Sequence, residues 1–307
     1  MGKYTFHKHT KDDLFGLFLV RVGIFVKKLL AALRLTDRFY ERLSKHYRYP
    51  KNVEFESISL QRIKIETVKL KNQPERDCLL QLHGGAYIYE FNDNYRRMAL
   101  QYLKIHPTFK VYSPYYALAP KYPFPYALNE AFTVYQHLLT LYKPERIIIQ
   151  GDSAGGGLAL ALAYKIYDEG LPQPKAIITM SAWTDFLGKG ESYKENAFKD
   201  PFFKNGELDT AMEAYAGKYP YNHEKISPKY GDYTKLPPLL MFVGGNELIK
   251  SDTLDIGLNH EQATVHEFEK MFHVYPLAMG YTNASRETWR IIKHYLNEQL
   301  EVNQNEK

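Results

Sequence analysis

Between Arg146 and Tyr164 an apolar, β-branched run turns abruptly into a helix-forming one, and no other stretch constrains the fold as strongly. The run Arg146-Ile147-Ile148-Ile149-Gln150 reads as a buried strand, and Gly156-Gly157-Leu158 through Tyr164 reads as a helix. Gly151-Asp152-Ser153-Ala154-Gly155 joins them. Small residues two places either side of Ser153 let the backbone pass close to its neighbours while the hydroxyl is held out over the sheet edge. That is the shape of a nucleophile elbow, against which stands the plainer alternative of a Gly-rich turn that packs a helix on a strand.

The rest of the chain is consistent with a sheet built around this corner. Residues 1–50 read as an N-terminal helical arm that ends at Tyr49-Pro50, with Arg38 to Leu43 extending its pattern. Val53 to Leu60 and Ile63 to Leu70 alternate apolar with polar residues, which predicts a pair of antiparallel edge strands. Buried strands are expected at Cys78 to Leu82, Phe109 to Ser113, Lys175 to Met180, Leu236 to Val243 and Thr264 to Glu269. Helices are expected at Leu128 to Tyr142 and Ser285 to Leu300. Strands alternating with helices imply a mostly parallel sheet covered on both faces. Periodicity weakens over 186–226, which reads as an insertion with a short helix near Glu207 to Tyr215. The expected division is an arm at 1–50, a catalytic body at 51–185 and 227–307, and the insertion at 186–226.

Charge and cysteine content narrow the function classes. A net charge of +5 without a clustered Lys/Arg stripe gives no reason to expect nucleic acid as a partner. Cys78 is the single cysteine and lies in an apolar run, so no internal disulfide can form and a reducing, cytoplasmic compartment fits. Leu14 to Leu35 is apolar, but Arg21, Lys27 and Lys28 interrupt it, so stable membrane insertion is not expected. We read an amphipathic helix that packs on the body or, alternatively, lies on a membrane surface.

A serine hydroxyl needs a base to take its proton and a group to orient that base. His273 lies just past a predicted strand and follows Ser153 in chain order, whereas the other ten histidines lack such a context. His83 is read as a structural hydrogen-bonding residue. The orienting carboxylate is expected at a strand end between the two; Glu247 is preferred, with Asp252, Asp185 and Asp255 as alternatives. His83-Gly84-Gly85-Ala86-Tyr87 follows a strand with two residues lacking side chains, where backbone N–H groups can face a developing oxyanion. A tight turn needing positive φ is the alternative there.

These motifs together resemble the hormone-sensitive lipase-like family of α/β-hydrolase esterases over nearly the whole chain. His83 to Tyr87 is similar to its H-G-G-G/A-aromatic loop, Leu118-Ala119-Pro120 through Pro125 to its L-A-P-E-x-P-F-P segment, and Gly151 to Gly156 to its G-D-S-A-G-G elbow. Ser181 to Asp185 resembles S-P-W-x-D, Ile226 to Gly231 resembles I-S-P-x-Y-G, and Met271 to Val274 resembles the histidine motif. Gly244 to Ile249 resembles G-x-x-E-x-L, with Ile249 in the place of leucine and Glu247 where Asp is more common. Tyr115-Tyr116-Ala117 stands where D-Y-R is usual, and Lys121 where Glu is usual, so the polar pairing there differs.

The resemblance implies an α/β-hydrolase fold, with a mostly parallel central sheet flanked by helices and a helical cap made from the arm and the 186–226 insertion. It implies hydrolysis of small-molecule carboxylic esters of short to medium chain through an acyl-enzyme, with no cofactor and no metal. Ser153 would be the nucleophile, His273 the base and Glu247 its orienting acid, with an oxyanion hole from Gly84, Gly85 and Ala154. A membrane-surface lipase is one alternative, and a non-catalytic ligand receptor on the same fold is another. Oligomeric state stays open between monomer and homodimer.

Overall fold

The computed structural model describes residues 1–32, 47–204, 206–278 and 280–301. Among the described residues, nine strands form one sheet: β1 Lys3–His7, β2 Val53–Leu60, β3 Ile63–Leu70, β4 Asp77–Leu82, β5 Phe109–Pro114, β6 Ile147–Asp152, β7 Ala176–Met180, β8 Leu239–Gly244 and β9 Ala263–Phe268. Their spatial order is β1-β9-β8-β7-β6-β4-β5-β3-β2. Pairs β2–β3 and β3–β5 are antiparallel, and all the others are parallel.

The helices are α1 Lys11–Ala32, α2 Asp93–Ile105, α3 Tyr126–Leu141, α4 Ala154–Asp168, α5 Ser192–Glu195, α6 Asp209–Ala216, α7 Lys250–Asn259 and α8 Asn283–Glu301. The central strands are apolar at nearly every position, so period two decides only which face each residue serves. Ile147, Ile149, Leu239 and Met241 enter the core on one side of the sheet with α3 and α4. Ile148, Leu240 and Phe242 enter the core on the other side with α2 and α8. Helix α4 is buried nearly all round, as its unbroken Leu/Ala composition requires.

Three expectations need correction. Residues 1–50 are not helical from their start. Lys3–His7, with alternating Tyr4, Thr5 and Phe6, adds a parallel edge strand to β9. Helix α1 then occupies part of the expected arm, while the Arg38 to Leu43 extension lies outside the described residues. Strand β3 is not an edge strand, because β5 covers its other side and buries Glu66 and Thr67. Helix α2 had no counterpart in the expectations, although Tyr95, Met98, Ala99, Tyr102 and Leu103 carry the helical spacing behind an Asn92 cap.

Candidate active site

Strand β6 runs straight into α4 at Ser153, whose backbone is held at φ 51° and ψ −122°. Residues in such sparsely populated regions persist only when their surroundings over-determine them. Here the determinant is close backbone approach: a Cβ on Gly155 would come within 2.1 Å of the Leu82 carbonyl oxygen. That missing side chain lets the turn after β4 lie directly beside the serine. Ser153 is mostly buried, with its hydroxyl at the floor of a cavity of about 400 Å3.

His273 comes from the loop after β9, and its Nε2 lies 2.9 Å from Ser153 Oγ. Its Nδ1 lies 3.1 Å from Glu247 Oε2, on the turn after β8. Three strand ends therefore bring Ser153, His273 and Glu247 into one hydrogen-bonded chain. Burial pushes the His273 imidazole well below its ordinary range, so it rests neutral and can accept a proton. Burial also raises the Glu247 carboxyl, against the opposing pull of two donors.

Those donors are the Ser181 hydroxyl, 2.7 Å from Oε1, and the Gly244 N–H. Ser181, at the end of β7, also accepts the N–H of Val274 at 2.9 Å. It thus ties the acid-bearing turn to the histidine-bearing loop, and both Ser181 and Val274 sit at positive φ, 54° and 53°. Asp252, Asp185 and Asp255 do not approach His273 in this way. Asp252 accepts the N–H groups of Thr184 and Asp185, while Asp185 and Asp255 both bind Lys229.

The loop after β4 corrects one expectation. The N–H of Gly84 is already donated to Asp152 Oδ1 at 3.1 Å, which a carboxylate this deeply buried needs. It is therefore not free for an oxyanion. No described residue accepts the N–H of Gly85, Ala86 or Ala154. Gly85 has φ 115°, a conformation that only glycine adopts readily, and it lines the cavity with Ala86. Burial raises the Asp152 carboxyl to about 7. His83 is buried, with Nδ1 2.7 Å from the Gly84 carbonyl and its ring stacked on Tyr116, in keeping with a structural role.

The cavity walls include Val20 from α1 and Phe202 and Phe203 from the segment between β7 and β8. Phe203 meets the His273 ring edge-on at 4.7 Å. That segment is hydrogen-bonded to the acid-bearing turn. Asn196 Nδ2 donates to the carbonyls of Gly245 and Glu247, and Asp200 accepts the N–H groups of Leu248 and Phe202. These two residues escaped the sequence reading, since nothing in an aperiodic segment marks which side chains it sends back to the sheet. Ser181 and Asp152 carried a signal, each lying inside a motif next to a strand end. Among the described residues no group of His, Cys, Asp and Glu side chains could hold a metal ion.

The sequence profile of the α/β hydrolase fold matches residues 79–277. An acetyl-hydrolase from Streptomyces hygroscopicus is 33% identical over 206 residues, covering 64% of this chain and 67% of the relative. An esterase from Acinetobacter venetianus is 30% identical over 228 residues, covering 73% and 75%. Among solved structures, an esterase from the bacterial hormone-sensitive lipase family superposes with a TM-score of 0.79 at 28% identity, covering 86% of this chain and 90% of that one. The profile match across most of the chain and these relatives show that the chain belongs to the α/β hydrolase fold family, in its hormone-sensitive lipase-like group of esterases.

Proposed function

We propose that this chain is a serine carboxylesterase acting on short- to medium-chain carboxylic esters, with Ser153 as nucleophile, His273 as general base and Glu247 as orienting acid. The continuous hydrogen-bond path from Ser153 Oγ through His273 to Glu247, at 2.9 and 3.1 Å, carries this reading. Neutral His273 removes the Ser153 proton as Oγ attacks the ester carbonyl, and the imidazolium that forms is held by Glu247. The N–H groups of Gly85 and Ala154, joined by Ala86 in place of Gly84, stabilise the tetrahedral oxyanion. His273 then returns the proton to the leaving alkoxide, freeing the alcohol and leaving the acyl group on Ser153. Water, deprotonated by the same imidazole, releases the carboxylic acid. The name of one relative, acetyl-hydrolase, supports small acyl groups.

Chain-length preference follows from the size and the aromatic walls of the cavity. At about 400 Å3 it lies at the small end of ligand pockets, and Phe202, Phe203 and Phe272 crowd it. Turnover of p-nitrophenyl esters from acetate upward is expected to peak at short acyl chains. An optimum beyond about ten carbons with activation at an interface would overturn this. A fluorophosphonate probe is expected to label the wild type, which separates an esterase from a ligand receptor on the same fold.

Ser181→Ala is expected to lower kcat by about ten- to a hundredfold, because a hydrogen bond to a charged group is worth about 1.5–3 kcal/mol. KM should change little, as Ser181 does not line the cavity. Steady-state kinetics on p-nitrophenyl butyrate tests this; an unchanged kcat would remove Ser181 from the machinery.

A further inference from the structure

Helix α1 is apolar on both sides. Its inner side is fixed to the body: Asp13 is buried and accepts the N–H of Ala284, Leu17 is buried, and Val20 lines the catalytic cavity. Its outer side presents Phe15, Phe18, Leu19 and Val22, with exposures of 62, 59, 46 and 43%. Their i, i+3, i+4, i+7 spacing is that of a stripe meant for burial, yet it faces solvent.

Charge is distributed just as unevenly. Residues 1–50 hold eleven Lys and Arg against four Asp and Glu, a net charge of +7, so the remainder of a chain of total charge +5 is net negative. The net basic part of this protein is therefore the segment that bears the exposed apolar stripe. No helix among the described residues is long and apolar enough to cross a membrane. An apolar stripe with surrounding Lys11 and Arg21 fits a helix lying in an interface rather than spanning it.

We propose that the outer face of α1 docks reversibly on an anionic phospholipid surface, placing the catalytic cavity, whose wall includes Val20 of the same helix, beside the lipid. Phe15, Phe18, Leu19 and Val22 enter the boundary between headgroups and acyl chains, and the basic arm is drawn by the negative surface potential. Esters dissolved in the contacted leaflet then reach Ser153 past Val20. This docking does not depend on the roles assigned to Ser153, His273 and Glu247.

Flotation of the full chain with vesicles of mixed phosphatidylglycerol and phosphatidylcholine tests the proposal, read beside vesicles of phosphatidylcholine alone. The wild type and Ser153→Ala are both expected to float with the anionic vesicles, and high salt should release them as the screening length falls to about 3 Å at 1 M. The double variant Phe15→Ser with Phe18→Ser is expected to reduce the bound fraction at least about tenfold. It should keep p-nitrophenyl butyrate turnover, which shows that it folds. Lys11→Glu with Arg21→Glu should weaken binding without touching the apolar stripe. Wild type remaining unbound, equal binding to neutral vesicles, or undiminished binding of the Phe15/Phe18 variant would each overturn the proposal. So would a wild-type dimer that the same variant converts to monomer, since a second copy would then own this face.

Discussion

Ser153→Ala is expected to lower kcat by about a millionfold, with KM for p-nitrophenyl butyrate nearly unchanged. The substitution removes one oxygen, which among the described residues is the nucleophile that His273 Nε2 touches. The oxyanion N–H groups and the cavity walls stay in place, so ester binding and a residual rate above that of water survive. Stability should barely move. Among the described residues the hydroxyl makes one hydrogen bond, to a ring nitrogen, so its loss costs about 1 kcal/mol and shifts the melting temperature by only a few degrees. Alanine inherits the same φ of 51°, which the surrounding backbone imposes whatever side chain is present. Fluorophosphonate labelling should vanish together with turnover. A variant that kept more than about a thousandth of the wild-type rate would show that another group carries the chemistry.

What could be read from the sequence was what local backbone chemistry dictates. The elbow at Ser153, the Gly-Gly loop after β4 and the alternation of strands with helices each follow from residues close together in the chain. The choice among carboxylates rested on strand ends, and it is the turn after β8, not α7, that points a side chain at Nδ1 of His273. Residues 1–50 misled because their apolar content suits a helix, whereas β1 exists only through its partner β9, more than 250 residues away. The same holds for Gly84. Its N–H looked free in the motif, and only the fold reveals that buried Asp152 accepts it. Asn196 and Asp200 were hidden for a related reason, since their role is to satisfy backbone groups of a turn that is distant in sequence.

Glu247→Gln is expected to lower kcat by about ten-thousandfold, roughly 5 kcal/mol, although it preserves side-chain shape. Oε1 of Glu247 accepts from both the Ser181 hydroxyl and the Gly244 N–H, while Oε2 faces His273 Nδ1. An amide has a single oxygen, and two donors converge on the Oε1 position, so the oxygen must take that place. The amide NH2 then falls opposite Nδ1, donor against donor. His273 escapes the conflict by shifting its hydrogen to Nε2, which now donates toward Ser153 Oγ and can no longer take its proton. The loss is therefore one of tautomer, and it should appear in kcat with KM little changed. Because Ser181 is one of the two donors that fix the amide, Ser181→Ala added to Glu247→Gln should cost much less than it does in the wild type. Additive losses in that double variant, or a Glu247→Gln enzyme within about tenfold of wild type, would mean that Glu247 does not set the state of His273.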